Sequence, residues 1–69
     1  GAIMTTLYVY HNDSMRVIAR IEGDDHKALE QYAYERYNDG EYCYTYSPAF
    51  GAIGGLIDCD DAESIKVQS

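Results

Sequence analysis

The sequence has few cationic side chains, no tryptophan, one proline and no long apolar run. Five of its 69 residues are Lys or Arg and twelve are Asp or Glu, which gives a formal net charge of -7. This balance disfavours contact with nucleic-acid phosphates or an anionic membrane surface, and it favours a basic partner. No run is long enough to span a bilayer, and no segment resembles the apolar region of a signal peptide. We therefore expect a cytoplasmic protein that binds neither nucleic acid nor membrane directly.

The length and composition fit one folded domain. A hydrophobic content of 46% argues against disorder despite the charge. Gly1-Ala2-Ile3 ahead of Met4 is typical of the remnant of a removed expression tag, so we expect the domain to span residues 4–69. A core of this size supplies little net stability, which favours self-association.

Hydrophobic periodicity predicts two strands followed by a helix. Leu7–Tyr10 and Arg16–Glu22 alternate as half-buried strands, with turn-forming residues between them. Asp24 and Asp25 are placed to cap a helix that follows directly. The segment Asn38-Asp39-Gly40 is expected to end this helix, with Gly40 in the left-handed conformation.

More strands are predicted after the helix. Glu41–Tyr46 alternates again and is expected to form the third strand. Residues 47–55 are expected to form an ordered loop that packs through Phe50 and Ile53 and has glycines at positive φ. Leu56–Cys59 is predicted as a fourth strand, residues 60–63 as a helical turn, and residues 65–67 as extended. The prediction is an α+β fold of order β-β-α-β-β, with one helix on an antiparallel sheet of three or four strands.

No motif predicts a catalytic residue, metal ion or cofactor. The glycine-containing loop is followed by Leu56-Ile57-Asp58 instead of the Lys and Ser or Thr of a phosphate-binding loop. The carboxylates of residues 58–63 lack the glycine and the terminal Glu of a calcium-binding loop. Cys43 is expected to pack under the helix, and Cys43 and Cys59 are expected to be thiols in preference to a disulfide.

Tyrosines concentrate on the first and third predicted strands. If these strands are neighbours, Tyr8, Tyr10, Tyr42, Tyr44 and Tyr46 form one aromatic sheet face. One interpretation is that this face stabilises the sheet, and the other is that it lies open and binds a protein. The candidate partner-binding residues are Asp24, Asp25, Glu30, Glu35, Asp39, Glu41, Tyr8, Tyr10, Tyr34, Tyr42 and Tyr44.

Three segments, Leu7–Tyr10, Val17–Gly23 and Tyr46–Gly51, resemble those of small uncharacterised prophage and mobile-element proteins. In size, acidity and mixed α+β character the chain is also similar to the anti-CRISPR proteins, which bind and block CRISPR effector complexes. From the net charge and the tyrosine spacing we expect a non-enzymatic inhibitor that occupies a basic surface of a nucleic-acid-binding host complex, of which an anti-CRISPR protein would be the concrete form. The alternative is a structural or regulatory homodimer that pairs tyrosine-rich faces or edge strands. A small metal- or thiol-dependent enzyme ranks last.

Overall fold

The computed structural model describes residues 3–51, 53 and 55–68, and in this part four strands form one sheet with a helix against it. The elements are β1 (Thr5–His11), β2 (Val17–Gly23), α1 (His26–Arg36), β3 (Tyr42–Thr45) and β4 (Glu63–Val67). The strand order is β3-β1-β2-β4, in which β1 runs antiparallel to both β2 and β3. The predicted α+β fold and the element order are confirmed.

The core lies between the β1–β2 hairpin and the helix. Alternate residues of the hairpin, Leu7, Val9, Ala19 and Ile21, are buried and pack with residues of α1. The period of two in these strands places this apolar set on one face, as the alternation predicted. The helix contributes Leu29 and Ala33, which are four residues apart and so lie on one helical face.

The helix begins as predicted and ends earlier. The Asp25 side chain accepts a hydrogen bond from the Lys27 N–H at 3.1 Å, which caps the first turn. The helix ends at Arg36, and Tyr37 leaves the helical conformation with φ -125° and ψ 60°. The prediction for Gly40 is wrong, because Gly51 is the glycine at positive φ among the described residues. The Tyr37 N–H donates to the Ala33 carbonyl at 2.7 Å and closes the last turn, so the helix has ended before Gly40 is reached.

The strand predicted at residues 56–59 is wrong, whereas the extended segment predicted at residues 65–67 is confirmed as part of β4. Leu56 and Ile57 make only isolated bridges, whereas residues 63–67 pair with β2 as a parallel strand. The antiparallel expectation therefore holds for three of the four strands. A turn closed by the Ala62 N–H and the Cys59 carbonyl at 3.1 Å stands where a helical turn was expected.

The connection from β3 to β4 crosses the sheet face opposite the helix. The Phe50 ring packs edge-on against Tyr8, which points away from the core residues Leu7 and Val9. Gly51 has φ +75°, as expected for this loop, whereas Ile53 is fully exposed and the prediction that it packs is wrong. Among the other residues of this loop, Ala52 and Gly54 lie outside the described part of the chain.

The two cysteines are free thiols that lie apart from the helix packing. Cys43 is opposite Tyr10 in the ladder and shares the face away from the helix, so the prediction that it packs under the helix is wrong. Cys59 is buried near Arg16, whose Nη1 lies 3.5 Å from its Sγ. Within the described ranges, no helix is long and apolar enough to cross a membrane.

Gly23 is required where the helix and β4 approach the end of β2. A Cβ at this position would lie 2.6 Å from the Val67 carbonyl oxygen and 2.8 Å from Leu29 Cδ2. We expect Gly23→Ala to lower the free energy of unfolding by about 1–3 kcal/mol, the usual range for overpacking, measured by urea denaturation. Gly40→Ala is the control, because a Cβ there meets nothing within 4 Å. If Gly23→Ala lowers the free energy of unfolding no more than Gly40→Ala does, the close packing around Gly23 does not limit the side chain at this position.

Candidate functional site

The β3 tyrosines lie on the helix side of the sheet. In the β1–β3 ladder Tyr44 is opposite Val9 and Tyr42 is opposite His11. Directly opposed residues share a sheet face, and Val9 is buried beneath the helix. The backbone of α1 packs over β1, β2 and β4, leaving the edge strand β3 beside it. The tyrosine rings therefore fill the space between the helix and β3.

A stripe of helix side chains meets these rings. His26, Glu30 and Tyr34 are spaced by four residues and so share one side of α1. His26 stacks on Tyr46 with ring centroids 4.8 Å apart, and the Tyr46 hydroxyl donates to Glu30 at 2.7 Å. Tyr34 packs edge-on against Tyr44 at 5.2 Å. We call the surface formed by His26, Glu30, Tyr34, Tyr42, Tyr44 and Tyr46 the α1–β3 flank.

The aromatic contacts continue past the end of the helix. The Tyr44 hydroxyl donates to the Tyr37 carbonyl, and the Tyr37 ring packs edge-on against Tyr42 at 5.7 Å. Tyr42 in turn contacts the His11 ring at 5.3 Å, and His11 Nε2 lies 3.6 Å from a Glu41 carboxylate oxygen. The rings thus form a continuous layer that has Glu30 near one end and Glu41 at the other.

The flank contains the carboxylate of Glu30, and the exposed Glu35, Asp39 and Glu41 lie near it. The segment 37–65 contains six Asp or Glu and no Lys or Arg. Arg20 is paired with Asp58, and the Arg36 guanidinium lies over the Tyr32 ring at 5.1 Å. Tyr34 is 52% exposed, so its ring is accessible while one edge packs on Tyr44. An exposed phenol beside carboxylates suits contact with Lys or Arg.

Three tyrosine hydroxyls of the aromatic layer, those of Tyr37, Tyr44 and Tyr46, have raised pKa values. Burial, followed by the hydrogen bond to Glu30, raises the pKa of Tyr46 well above its usual value. Burial, followed by the hydrogen bond to Glu63, raises the pKa of Tyr37 to about 12. Burial also raises the pKa of Tyr44. A protonated hydroxyl donates to an acceptor and keeps its ring fixed, so these bonds order the layer.

The structure brings together only part of the predicted partner-binding set. Tyr34, Tyr42, Tyr44 and Glu30 belong to the flank, and Glu41 borders it through His11. Glu35 is exposed on the helix, where it accepts a hydrogen bond from Gln31. The exposed Asp39 accepts one from the Glu41 N–H. Asp24 and Asp25 lie at the start of the helix, where Asp25 serves as its cap.

The prediction of a single aromatic face is wrong. Tyr8 and Tyr10 lie on the sheet face away from the helix, where Tyr8 contacts Phe50 and Tyr10 is opposite Cys43. The reason is the register, because Tyr44 is opposite Val9 and not opposite a tyrosine of β1. The tyrosines of the two strands therefore point to opposite faces.

Sequence reasoning missed His26, Tyr37 and His11 as parts of this aromatic layer. The spacing of four from His26 to Glu30 to Tyr34 was a usable signal, because it aligns these residues on one side of a helix. No comparable sequence signal marks His11 or Tyr37. Their contacts depend on how β3 pairs with β1.

Chemical features of other kinds are sparse in the described residues. No group of three or more His, Cys, Asp or Glu side chains there is arranged to hold a metal ion. Compared with protein-family models, curated proteins and solved structures, the chain has no match.

The raised pKa of Tyr37 makes the free energy of unfolding depend on pH in the alkaline range. Its pKa is about 12 in the folded chain and 10.0 when unperturbed, so the unfolded chain releases this proton first. The stabilisation is full below pH 10 and is lost as pH rises toward about 12. We expect Tyr37→Phe to reduce the fall in unfolding free energy over this window, measured by denaturation at several pH values.

Glu63→Gln is the companion variant, since it removes the carboxylate charge and keeps an acceptor oxygen. The pKa of Tyr37 should then fall only partway toward 10.0, because burial is the largest cause of the shift. Ultraviolet titration of the phenolate measures this. An alkaline loss of stability that is the same in wild type and Tyr37→Phe would contradict the assignment.

Proposed function

We propose that this chain is a non-enzymatic, acidic protein-binding module of phage or mobile-element origin, which inhibits a host nucleic-acid-binding complex by occupying its basic surface. The observation that carries the proposal is the α1–β3 flank, where ordered tyrosine rings pack beside the Glu30 carboxylate and the segment of residues 37–65 has six Asp or Glu and no Lys or Arg. In this proposal the flank is the binding surface. An anti-CRISPR protein is the concrete form of such an inhibitor.

The charge supports fast association with a cationic surface. A net charge of -7 on so small a domain produces a field that attracts basic partners and raises association rates at low salt. Exposed Glu35, Asp39 and Glu41 project this field near the flank. Surfaces that hold guide RNA or DNA are rich in Lys and Arg, so they have the complementary charge.

The ring packing supports slow dissociation. Tyrosine contributes a large contact area with few rotatable bonds, and rings already fixed by neighbours lose little further freedom on binding. Tyr34 and Tyr44 pack on one another, and the hydroxyl of Tyr44 is fixed on the Tyr37 carbonyl. A protein partner is favoured over a nucleic acid, because stacked bases need a basic track for their phosphates.

Charge reversal tests whether the flank side of the domain binds the partner. We expect Glu35→Lys/Glu41→Lys to recover at least about tenfold less of a basic nucleic-acid-binding protein from nuclease-treated bacterial lysate at low salt. The measurement is quantitative mass spectrometry of the captured proteins. The nuclease step removes proteins that are bridged by nucleic acid.

Asp60→Lys/Asp61→Lys is the matched control, because both residues are exposed in the turn before the opposite edge strand β4. Each double variant raises the formal net charge by four units, from -7 to -3. The control should capture nearly as much as wild type. Equal losses in the two variants would mean that binding depends on net charge alone and not on the flank. Capture of no nucleic-acid-binding protein by the wild-type chain would overturn the proposal.

A further inference from the structure

We propose that the free edge of β3 accepts an extended basic segment of the partner as an added strand. This inference rests on the proposed function, and it specifies how the α1–β3 flank engages its partner. Strand addition at a sheet edge uses main-chain hydrogen bonds for affinity and alternate side chains for specificity. Three features favour strand addition here: the outward direction of β3 backbone groups, the absence of blocking residues in β3, and the negative charge around the edge.

The hydrogen-bond alternation directs the Tyr44 backbone outward. The Asn12 N–H donates to the Glu41 carbonyl at 2.9 Å, which marks that opposed pair as hydrogen-bonded. In an antiparallel ladder such pairs alternate, so Cys43 and Thr45 bond to β1 while Tyr42 and Tyr44 do not. The Tyr42 N–H is used locally on the Asp39 carbonyl at 3.2 Å. The Tyr44 N–H and carbonyl are thus aimed away from the sheet.

The four residues of β3 include no charged side chain, proline or bulge of the kind that blocks pairing at many edge strands. Edge strands are commonly blocked by Lys, Pro or a bulge. The sequence Tyr42–Thr45 contains no charged residue or proline, and the sheet irregularity lies between β1 and β2. The opposite edge strand β4 carries exposed Glu63 and Lys66. Strand addition is therefore expected at β3 and not at β4.

The charges near β3 indicate what kind of segment would bind at this edge. Asp39 and Glu41 precede β3, and Glu30 lies beside Tyr46 just after it. A second copy of the chain brings no Lys or Arg in its own segment 37–65, so self-pairing leaves these carboxylates without countercharges. A segment with Lys or Arg at every second position would place its cations over the tyrosine rings of the flank. An extended basic segment therefore fits better than a second copy.

The test uses a short synthetic peptide of alternating Arg and Thr, matched in length to β1, with the wild-type chain. We expect the peptide to bind and to slow hydrogen exchange of the Tyr44 amide at least about tenfold. A copy of the peptide methylated on every backbone nitrogen keeps each charge and side chain but has no amide proton to donate. We expect this copy to bind at least about tenfold more weakly, since strand pairing is lost.

Two variants locate the peptide on the domain. Glu41→Lys places a cation next to the edge and should weaken binding of the unmodified peptide, whereas Asp61→Lys makes the same charge change near β4 and should leave binding close to wild type. Equal weakening in both variants would overturn the assignment to the β3 edge. Loss for Glu41→Lys alone would support it.

The remaining outcomes separate this inference from the proposed function. Equal binding of the two peptides without protection of Tyr44 would overturn strand addition and leave charge-driven docking in place. Failure of both peptides to bind would also overturn strand addition, while the lysate capture with charge-reversed variants still judges the proposed function. A dimer in light scattering, with Tyr44 protected before peptide is added, would assign the edge to a second copy and overturn the inference.

Discussion

The pairing register between β1 and β3 is the constraint on which the candidate surface depends. Because Tyr44 is opposite Val9, every β3 tyrosine points to the side that carries the helix. A slip of one residue would move these rings to the other face and bring Cys43 under the helix. Two further bonds hold the register: the Tyr44 hydroxyl donates to the Tyr37 carbonyl, and the Asn12 N–H donates to the Glu41 carbonyl and extends the β1–β3 ladder by one pair.

The short helix explains why an edge strand needs tyrosines. An α1 of 11 residues, with Leu29 and Ala33 as its buried side chains, packs its backbone over β1, β2 and β4. Long planar side chains can bridge the remaining gap to β3, and their hydroxyls reach polar groups of the helix. The same rings stabilise the sheet and present an ordered, partly exposed surface.

Part of this fold could be predicted because local patterns specify it. The alternation of Ala19 and Ile21 with the polar Arg20 and Glu22 indicates which face of β2 packs on the helix, and Asp25 marks the start of the helix by its capping chemistry. The faces of β3 could not be assigned in this way. Its alternating residues include tyrosines on one side and Cys43 on the other, and neither set is polar enough to identify the solvent face.

The position of the last strand depends on long-range packing for a different reason. Leu56 and Ile57 look like strand residues, yet they are used to close the loop over the face opposite the helix, and Leu56 is buried there. The chain thereby crosses from one edge of the sheet to the other, so that β4 runs parallel to β2. Loop packing of this kind leaves no periodic signal. The need for glycine at position 23 could not be predicted for the same reason, because the Val67 carbonyl that lies close to it belongs to β4.

The acidic residues near the flank divide into two groups with different physical roles. In the first group, Glu30 accepts a hydrogen bond from the Tyr46 hydroxyl, so this carboxylate helps to fix the ring. In the second group, Glu35, Asp39 and Glu41 are exposed and contribute mainly to the field outside the domain. Salt screens the second group strongly and the hydrogen bonds of the first group weakly. Ionic strength should therefore change the rate at which a basic partner arrives more than the order of the surface that it meets.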